Sequence, residues 1–180
     1  MQIYFVTSNL GKVKEFRQIL EPKVTVNHIE MQYPELRSDD PEEIAKMSAM
    51  QLADKFKKPI IVEDSGLFIK SLNGFPGTCS SYIHKRIGLK GILRLLKAEK
   101  DREAMYMSAV AYCEPQKKPL SFLGTEKGTI STTIRGKNGF GHDPIFIPEG
   151  SKKTYGEMED YAEKKQFRRR AIEKLLKYLG

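Results

Sequence analysis

The order of the predicted elements indicates an α/β protein with a mixed sheet flanked by helices. Strands and helices alternate through the first third of the chain, predicted strands then follow one another through the middle, and a long amphipathic helix ends the chain. At 180 residues the chain is long enough for one domain with a substantial core. No repeat or low-complexity linker marks an internal boundary, so residues 1–180 are predicted to form a single domain.

The first half of the chain predicts β and α elements in alternation. Its clearest signal is the start of the second helix, where Asp40 is a good N-cap, Pro41 takes the first helical position and Glu43 follows at the third. The run 59–62 is apolar and mostly β-branched, as in a buried strand. In chain order the elements are strand 2–7, helix 12–20, strand 24–29, helix 41–56 and strand 59–62.

The second half of the chain is richer in strands, with a meander in its middle and a loop of glycines after it. A short strand then lies between Pro144 and Pro148. In chain order we expect a strand at 67–72, a turn-rich loop at 73–77, a helix at 88–97, strands at 104–113, 120–125 and 129–134, a short strand at 144–148, and a helix at 159–179.

Composition excludes several classes of protein. No apolar run approaches the ~20 residues that span a membrane, and the first residues lack the pattern of a signal peptide. The two cysteines form no CxxC pair and the three histidines lie far apart, so neither a disulfide framework nor a zinc site is indicated. These features predict a cytoplasmic protein. The net charge of +8 fits nucleic-acid binding, binding of nucleotide phosphates, or a solvated basic helix face.

Three loops carry residues of chemical interest, and the first is a strand-to-helix turn. A helix N-terminus offers free N–H groups and a positive dipole end, which favour phosphate, and a lysine adds a full charge. The pattern is not that of a P-loop. The alternative is a capped helix start with a surface lysine. The loop consists of Thr7, Ser8, Asn9, Leu10, Gly11 and Lys12.

The second loop contains paired carboxylates. Glu63 and Asp64 are predicted to lie at the C-terminal end of the strand at 59–62, followed by Ser65 and a Gly66 that lets the backbone turn. Open α/β sheets bind ligands at this end of their strands. Two carboxylates there suit a hard cation such as Mg²⁺, which usually brings phosphate with it. The alternative is an acidic turn after a core strand.

The third loop is glycine-rich and lies between the meander and the short strand. Phe140 is flanked by glycines, so its ring could stack on a base. Asp143 precedes a proline, and it could orient that base or assist at the metal. The alternative is a glycine-rich turn in which Asp143 caps locally.

The last helix has one charged residue on its apolar face. At 100° per residue Arg168 falls in the middle of that face, whereas Arg170 falls on the opposite side. Lys164, four residues before Arg168, lies near the same inward row. An inward arginine is costly unless it meets an anion or a carbonyl, so Arg168 and Lys164 are predicted to be pocket residues. The alternative is that Arg168 snorkels past the helix end.

Taken together, these segments resemble the inosine triphosphate pyrophosphatase family. Their order and spacing extend over essentially the whole chain, and six motifs in order make chance a poor explanation. The matching segments are TSNLGKVKE (7–15), YPE (33–35), VEDSGLFI (62–69), LNGFPG (72–77), GFGHDPIFIP (139–148) and KTYGEM (153–158).

The resemblance implies a fold, an activity and a cofactor. The fold would be a mixed, strongly bent sheet with two lobes around a central cleft, usually in a homodimer. The activity would be Mg²⁺-dependent hydrolysis of inosine and xanthosine triphosphates, and their deoxy forms, to the monophosphate and pyrophosphate. The substrate would thus be a small-molecule nucleoside triphosphate, with neither a membrane nor a specific nucleic acid as partner.

The resemblance also implies roles for residues. The loop from Thr7 to Lys12 would hold phosphate, Glu35 and Asp64 would bind the metal, and Asp64 would also be the general base for water. The residues implied around the rest of the substrate are Ser65, Phe140, Gly141, His142, Asp143 and Lys164, with Arg168 reading the base carbonyl.

One segment departs from the family pattern and keeps other interpretations open. Phe167 stands where a histidine is usual, and an apparent one-residue shortening leaves Arg168 and Arg169 as alternative base readers. A pyrophosphatase with another nucleotide preference is therefore a second hypothesis. A third, of a different class, is a basic nucleic-acid-binding module that uses residues 164–170, although no RRM, KH or helix-turn-helix pattern is present.

Overall fold

The computed structural model describes all 180 residues and contains seven strands, five α-helices and three short 3₁₀ turns. None of the helices has the length and apolar character needed to cross a membrane. The strands are β1 (Gln2–Val6), β2 (Thr25–Ile29), β3 (Ile60–Ile69), β4 (Pro76–Gly77), β5 (Glu103–Cys113), β6 (Leu120–Ile130) and β7 (Phe146–Pro148). The helices are α1 (Leu10–Leu20), α2 (Pro41–Phe56), α3 (Ser80–Leu95), α4 (Tyr161–Lys164) and α5 (Phe167–Leu179).

The strands form one mixed sheet in the order β2-β1-β3-β5-β6-β7, with β4 paired to β3. β1 pairs in parallel with β2 and with β3, as βαβ units require. β4 and β7 pair antiparallel with β3 and β6. The predicted α/β class with a mixed sheet is therefore confirmed, while the strong bend and the central cleft stay predictions.

The chain divides into two compact units, the number of lobes that the resemblance implies. Unit 1 comprises residues 1–64, 108–124 and 168–180, and unit 2 comprises 65–107 and 125–167. The long strands β3, β5 and β6 each contribute residues to both units.

The core of unit 1 is built from strand and helix faces that the sequence pattern predicts. Val13, Phe16 and Leu20 recur at helical spacing along α1 and are buried. Phe16 stacks on Phe5 of β1 with ring centroids 4.1 Å apart, and Ile172 of α5 joins the same cluster. A second cluster lies under α2, where the predicted N-cap Asp40 accepts a hydrogen bond from the Glu42 N–H.

The core of unit 2 is aromatic. Tyr106 stacks on Phe167 with centroids 4.7 Å apart and lies 4.3 Å from the ring of Phe146. Phe146 in turn stacks on Tyr155. Phe167, which the sequence comparison places where a histidine is usual, is therefore a core residue of this unit.

The predicted end of the third strand is wrong. β3 continues from Ile60 to Ile69, so Glu63 and Asp64 lie within the strand rather than after it. Gly66 does not turn the chain but allows a close approach. A Cβ there would lie 2.0 Å from the Gly77 carbonyl oxygen of β4, and the Ser80 hydroxyl ties the same strands by donating to that oxygen and accepting from the Leu67 N–H.

The predicted final helix is also interrupted. α4 ends at Lys164, and Lys165 takes an extended conformation before α5 begins at Phe167. The buried carboxylate of Glu126 stabilises the new helix start by accepting from the N–H groups of Gln166 and Phe167. The inward row that was predicted to join Lys164 to Arg168 therefore does not exist.

Two other boundaries differ from the prediction. The helix expected at 88–97 is the second half of α3, which starts at Ser80 and is interrupted at Gly88, whose φ is 61° and ψ −171°. The two strands expected at 120–125 and 129–134 are replaced by the single strand β6, which ends at Ile130, so the predicted strand is wrong for residues 131–134.

We expect Gly66→Ala to lower the free energy of unfolding by about 3 kcal/mol or more, because the β3–β4 pair must separate to admit one methyl group. Urea denaturation measures the loss. Gly150→Ala is the matched control: its φ of 80° strains an alanine, but no atom lies within 4 Å of the new Cβ, so the cost should stay near ~1 kcal/mol. Equal losses in the two variants would contradict the close-approach explanation.

Candidate functional site

The first loop of unit 1 is a capped helix start. The Asn9 side chain accepts hydrogen bonds from the N–H groups of Gly11 and Lys12, at 2.9 and 3.3 Å. The Asn9 N–H in turn donates to the Thr7 hydroxyl at 3.1 Å. Ser8 and Leu10 are exposed. The capping alternative is thus confirmed locally, and phosphate binding by this loop stays a prediction.

Lys12 is not a free surface lysine. Its ammonium lies 2.6 Å from Glu63 Oε2 and donates to the Glu63 main-chain oxygen at 3.1 Å. Its side chain keeps 17% of its exposure. A charged group that is fixed at its base but still partly exposed can meet an anion with little further loss of side-chain entropy.

Glu63 is buried and contacts three donor groups. Its Oε1 accepts from Arg168 Nε at 3.0 Å and from the Ser108 hydroxyl at 2.6 Å, while Oε2 faces Lys12. Burial opposes ionisation, but the charges of Arg168 and Lys12 outweigh it and lower the pKa of Glu63 to about 2. Glu63 is therefore an ionised partner of two cations and has little capacity left for a metal ion.

Arg168 lies inward, as the periodicity of the last helix predicts, and snorkelling is excluded because its side chain is only 2% exposed. Its contacts, however, are with carboxylates. Besides Glu63, it meets Glu15 of α1, with 2.5 Å between Nη1 and Oε2. Burial favours the neutral form, but these two anions raise the pKa of Arg168 above its usual range. Arg170 is exposed, and Arg169 faces Glu173 at 3.9 Å.

Asp64 and Glu35 are the two carboxylates that the family resemblance assigns to a cation. Asp64 is 9% exposed, and Glu35 is an exposed residue of the loop before α2. The pKa of Glu35 is raised above its ordinary value. Partial burial raises it, the charge of Lys12 lowers it, and the charge of Glu63 raises it again. The pKa of Tyr33 is raised by burial and then by the charges of Glu35, Asp64 and Glu63, so these acids share one electrostatic environment.

The donor chemistry of these two acids fits Mg²⁺. No group of three or more His, Cys, Asp or Glu side chains is arranged to hold a metal ion. Mg²⁺ does not need such a cage, because it is usually bound by one or two carboxylates and completes its shell with waters and substrate phosphates. Asp64 and Glu35 would hold the ion on that basis.

In unit 2, Asp143 organises the glycine-rich loop. It is 1% exposed, and its Oδ2 accepts from the Phe140 N–H at 2.8 Å and from Lys165 Nζ at 2.6 Å. A Cβ on Gly139 would lie 2.1 Å from the same oxygen, so the loop closes around the carboxylate. The local capping that the sequence left as an alternative is confirmed, and this capping is what presents Phe140 at 39% exposure.

Lys165 is the residue that sequence reasoning missed. The side chains of Lys165 and Asp143, which form an ion pair, are each 2% exposed. The Lys165 ammonium lies 4.2 Å from the centre of the Phe140 ring. Lys164, the predicted residue, is exposed, and its Nζ lies 3.7 Å from Asp160 Oδ2. The break between α4 and α5 turns Lys165 inward. A buried Asp143 needs a cation, but the sequence does not say which of two adjacent lysines supplies it.

The remaining predicted residues of unit 2 differ in burial. Ser65 is half-buried in β3, and Gly141 is half-buried with φ 63°. His142 is 4% exposed, and its ring lies 5.2 Å from that of His84. Burial, and then the charge of His84, lower the pKa of His142 to about 4, so His142 is neutral at pH 7.

We expect Lys165→Met to lower the free energy of unfolding by about 3–5 kcal/mol, because it leaves Asp143 buried without its cation. Lys164→Met is the control, and should cost no more than ~1 kcal/mol since its ion pair is exposed. Urea denaturation measures both. Adding Asp143→Asn to Lys165→Met should restore part of the loss; no restoration would show that the cost comes from packing and not from the charge.

Stability should also fall in mild acid through His142. The unfolded chain takes up a proton near pH 6.5, whereas folded His142 resists it until about pH 4, so stability present above pH 6.5 is lost as the pH falls towards 4. The loss should be about 3 kcal/mol. Urea denaturation at pH 7.5 and 4.5 measures it, and His142→Gln should have a flatter pH dependence. An unchanged slope in that variant would contradict the assignment.

Comparisons with known sequences and with solved structures both find relatives that match most of the chain. The chain is 48% identical over 159 residues, 88% of this chain and 85% of the relative, to a dITP/XTP pyrophosphatase of Methanopyrus kandleri. It is 41% identical over 179 residues, 98% and 96% of the two chains, to one of Methanosarcina acetivorans.

Among solved structures, the Ham1 protein of Staphylococcus aureus superposes with a TM-score of 0.87 at 29% identity, covering 99% of this chain and 98% of that one. A HAM1 protein of Coxiella burnetii gives the same TM-score at 28% identity, with the same shares of the two chains covered. Residues 3–178, nearly the whole chain, match the Ham1 family. The chain therefore belongs to the Ham1 family.

Proposed function

We propose that this protein is a nucleoside-triphosphate pyrophosphatase that hydrolyses non-standard purine nucleoside triphosphates, such as ITP, dITP and XTP, to the monophosphate and pyrophosphate. The observation that carries the proposal is the 41–48% identity to dITP/XTP pyrophosphatases over 88–98% of the chain. Removal of such triphosphates would keep them out of the nucleotide pool.

The contacts in unit 1 supply the chemistry that this hydrolysis needs. Cleavage between the α- and β-phosphates requires neutralisation of charge and an aligned water. Lys12 would neutralise phosphate charge from its fixed position near Glu63. Asp64 and Glu35 would hold Mg²⁺, which when bound supplies further electrostatic stabilisation. Asp64 would accept the proton of the attacking water.

The residues of unit 2 would contact the rest of the nucleotide. The exposed ring of Phe140, backed by the Lys165 ammonium, is suited to stacking on a purine. Gly141, His142 and Asp143 follow it in the loop and would surround base and sugar together with Lys164, and Ser65 would touch the substrate. A 6-keto purine offers an acceptor where adenine offers a donor, so a site with fixed donors discriminates between them by ~1–3 kcal/mol. The family resemblance assigns that donor to Arg168, whose Nε and Nη1 bind carboxylates in this structure.

The competing functions have less support. A nucleic-acid-binding module would use the basic residues 164–170 as a continuous patch, yet Lys165 and Arg168 are buried in ion pairs within their units. The hypothesis of a pyrophosphatase with another nucleotide preference is tested by the assay described below. The match to the family covers residues of both units, which supports our proposal that they work as one domain. A homodimeric state and a cytoplasmic location are further parts of the proposal.

Asp64→Asn should reduce kcat by 10² or more while the protein stays folded, because the change keeps the shape of the side chain but removes the charge that holds the cation and accepts the proton. Pyrophosphate release is measured with ITP, dITP, XTP, GTP and ATP in the presence of Mg²⁺. Asp39→Asn, which removes the same charge from an exposed residue, is the control. An Asp64→Asn enzyme with most of the wild-type kcat would overturn the assignment, and a wild-type preference for ATP would overturn the proposed substrate.

A further inference from the structure

A chain of four alternating charges in unit 1 goes beyond the roles assigned above. Lys12 contacts Glu63, Glu63 contacts Arg168, and Arg168 contacts Glu15; we call these residues the Arg168 cluster. The two middle members are almost entirely buried, with side chains 0% and 2% exposed. The outer members, Lys12 and Glu15, keep 17% and 12% of their exposure. The cluster therefore has two partly exposed ends of opposite charge.

Glu63 divides its two oxygens between the two cations. Oε1 binds Arg168 and the Ser108 hydroxyl, and Oε2 binds Lys12. If Arg168 were absent, the full negative charge of Glu63 would face Lys12 in a poorly hydrated environment, where charges are weakly screened. Lys12 and Glu63 would then form a self-sufficient ion pair with little attraction left for an anion.

Arg168 changes this balance, because it compensates Glu63 from the side away from Lys12. Glu15 offsets part of that effect by compensating Arg168 in its turn. The positive charge that Lys12 presents therefore depends on the charges of the other three members of the cluster, and not on Lys12 alone. Arg168 is only 2% exposed, and the group that it shares with Lys12 is Glu63, so its effect on Lys12 is transmitted through Glu63.

We infer that Arg168 is a positioning residue which, through Glu63, sets how much positive charge Lys12 presents to the phosphates of a substrate, and that Glu15 opposes it. This inference rests on the proposed function only in assuming that Lys12 meets phosphate. It gives Arg168 a role in binding every triphosphate, and not in the choice of base. It also predicts that substitutions of Arg168 and Glu15, which lie on the same chain of contacts, have opposite effects.

The test measures the affinity of inorganic tripolyphosphate by calorimetry at low salt, without divalent cations and without turnover. Arg168→Gln should weaken binding roughly 5–10-fold, because it removes one nearby positive charge, and Glu15→Gln should strengthen it by a similar factor. The double variant should return to within about twofold of wild type. The control Lys177→Gln, which removes a charge from the exposed face of the same helix, should change affinity less than twofold.

A purely structural role would not make Glu15→Gln bind more tightly, so unchanged or weaker binding by that variant overturns the inference. The same conclusion follows if Arg168→Gln binds as wild type does, or if the wild-type protein does not bind tripolyphosphate. If Arg168→Gln does not fold, Arg168→Lys tests the point, since it keeps the charge and should keep affinity within about threefold.

Steady-state kinetics separate this inference from the base-reading role. Arg168→Gln should raise KM for ITP and for ATP by the same factor, with a smaller change in kcat. A loss confined to ITP would assign the base carbonyl to Arg168 and overturn the positioning role. If the wild-type protein binds tripolyphosphate with the expected variant pattern but hydrolyses no nucleoside triphosphate, the proposed function fails and the inference on Lys12 stands.

Discussion

The buried carboxylate of Glu63 is the interaction on which unit 1 depends. It lies in the middle of β3, and its two oxygens bind side chains from β5, α5 and α1, namely Ser108, Arg168 and Lys12. An unpaired carboxylate in this position would be strongly destabilising. The contacts with Glu63 therefore fix β5, α5 and α1 relative to β3. The same contacts fix the position of Lys12, which is how a stabilising charge network also positions the residue proposed to bind phosphate.

Unit 2 also contains a buried carboxylate that is paired with a cation, and here the pair fixes a loop. Asp143 is buried with Lys165, and it closes the glycine-rich loop through the Phe140 N–H. The pair holds an exposed aromatic ring over a buried cation, so the flat surface proposed to stack on a base does not depend on a flexible loop. In both units a buried carboxylate–cation pair thus fixes a partly exposed group.

Much of the fold could be predicted because its signals are local. The N-cap at Asp40 and the apolar, mostly β-branched run at 59–62 each act within a few residues, and the structure has the helix and the strand that they predict. The end of β3 and the break before α5 could not be predicted. The first depends on the approach of Gly77 to Gly66, and the second on Glu126, forty residues away from Gln166.

The sequence by itself determined the α/β class, the inward direction of Arg168 and the set of motifs that identify the family. Each of these follows from residue types and spacings, which the chain carries before it folds. Only the tertiary structure decided which charged groups become partners: Lys165 and not Lys164 for Asp143, and Glu15 and Glu63 for Arg168. Ion-pair partners are set by where distant segments meet, and burial makes that pairing obligatory, because a charge removed from water must find its counter-charge within reach.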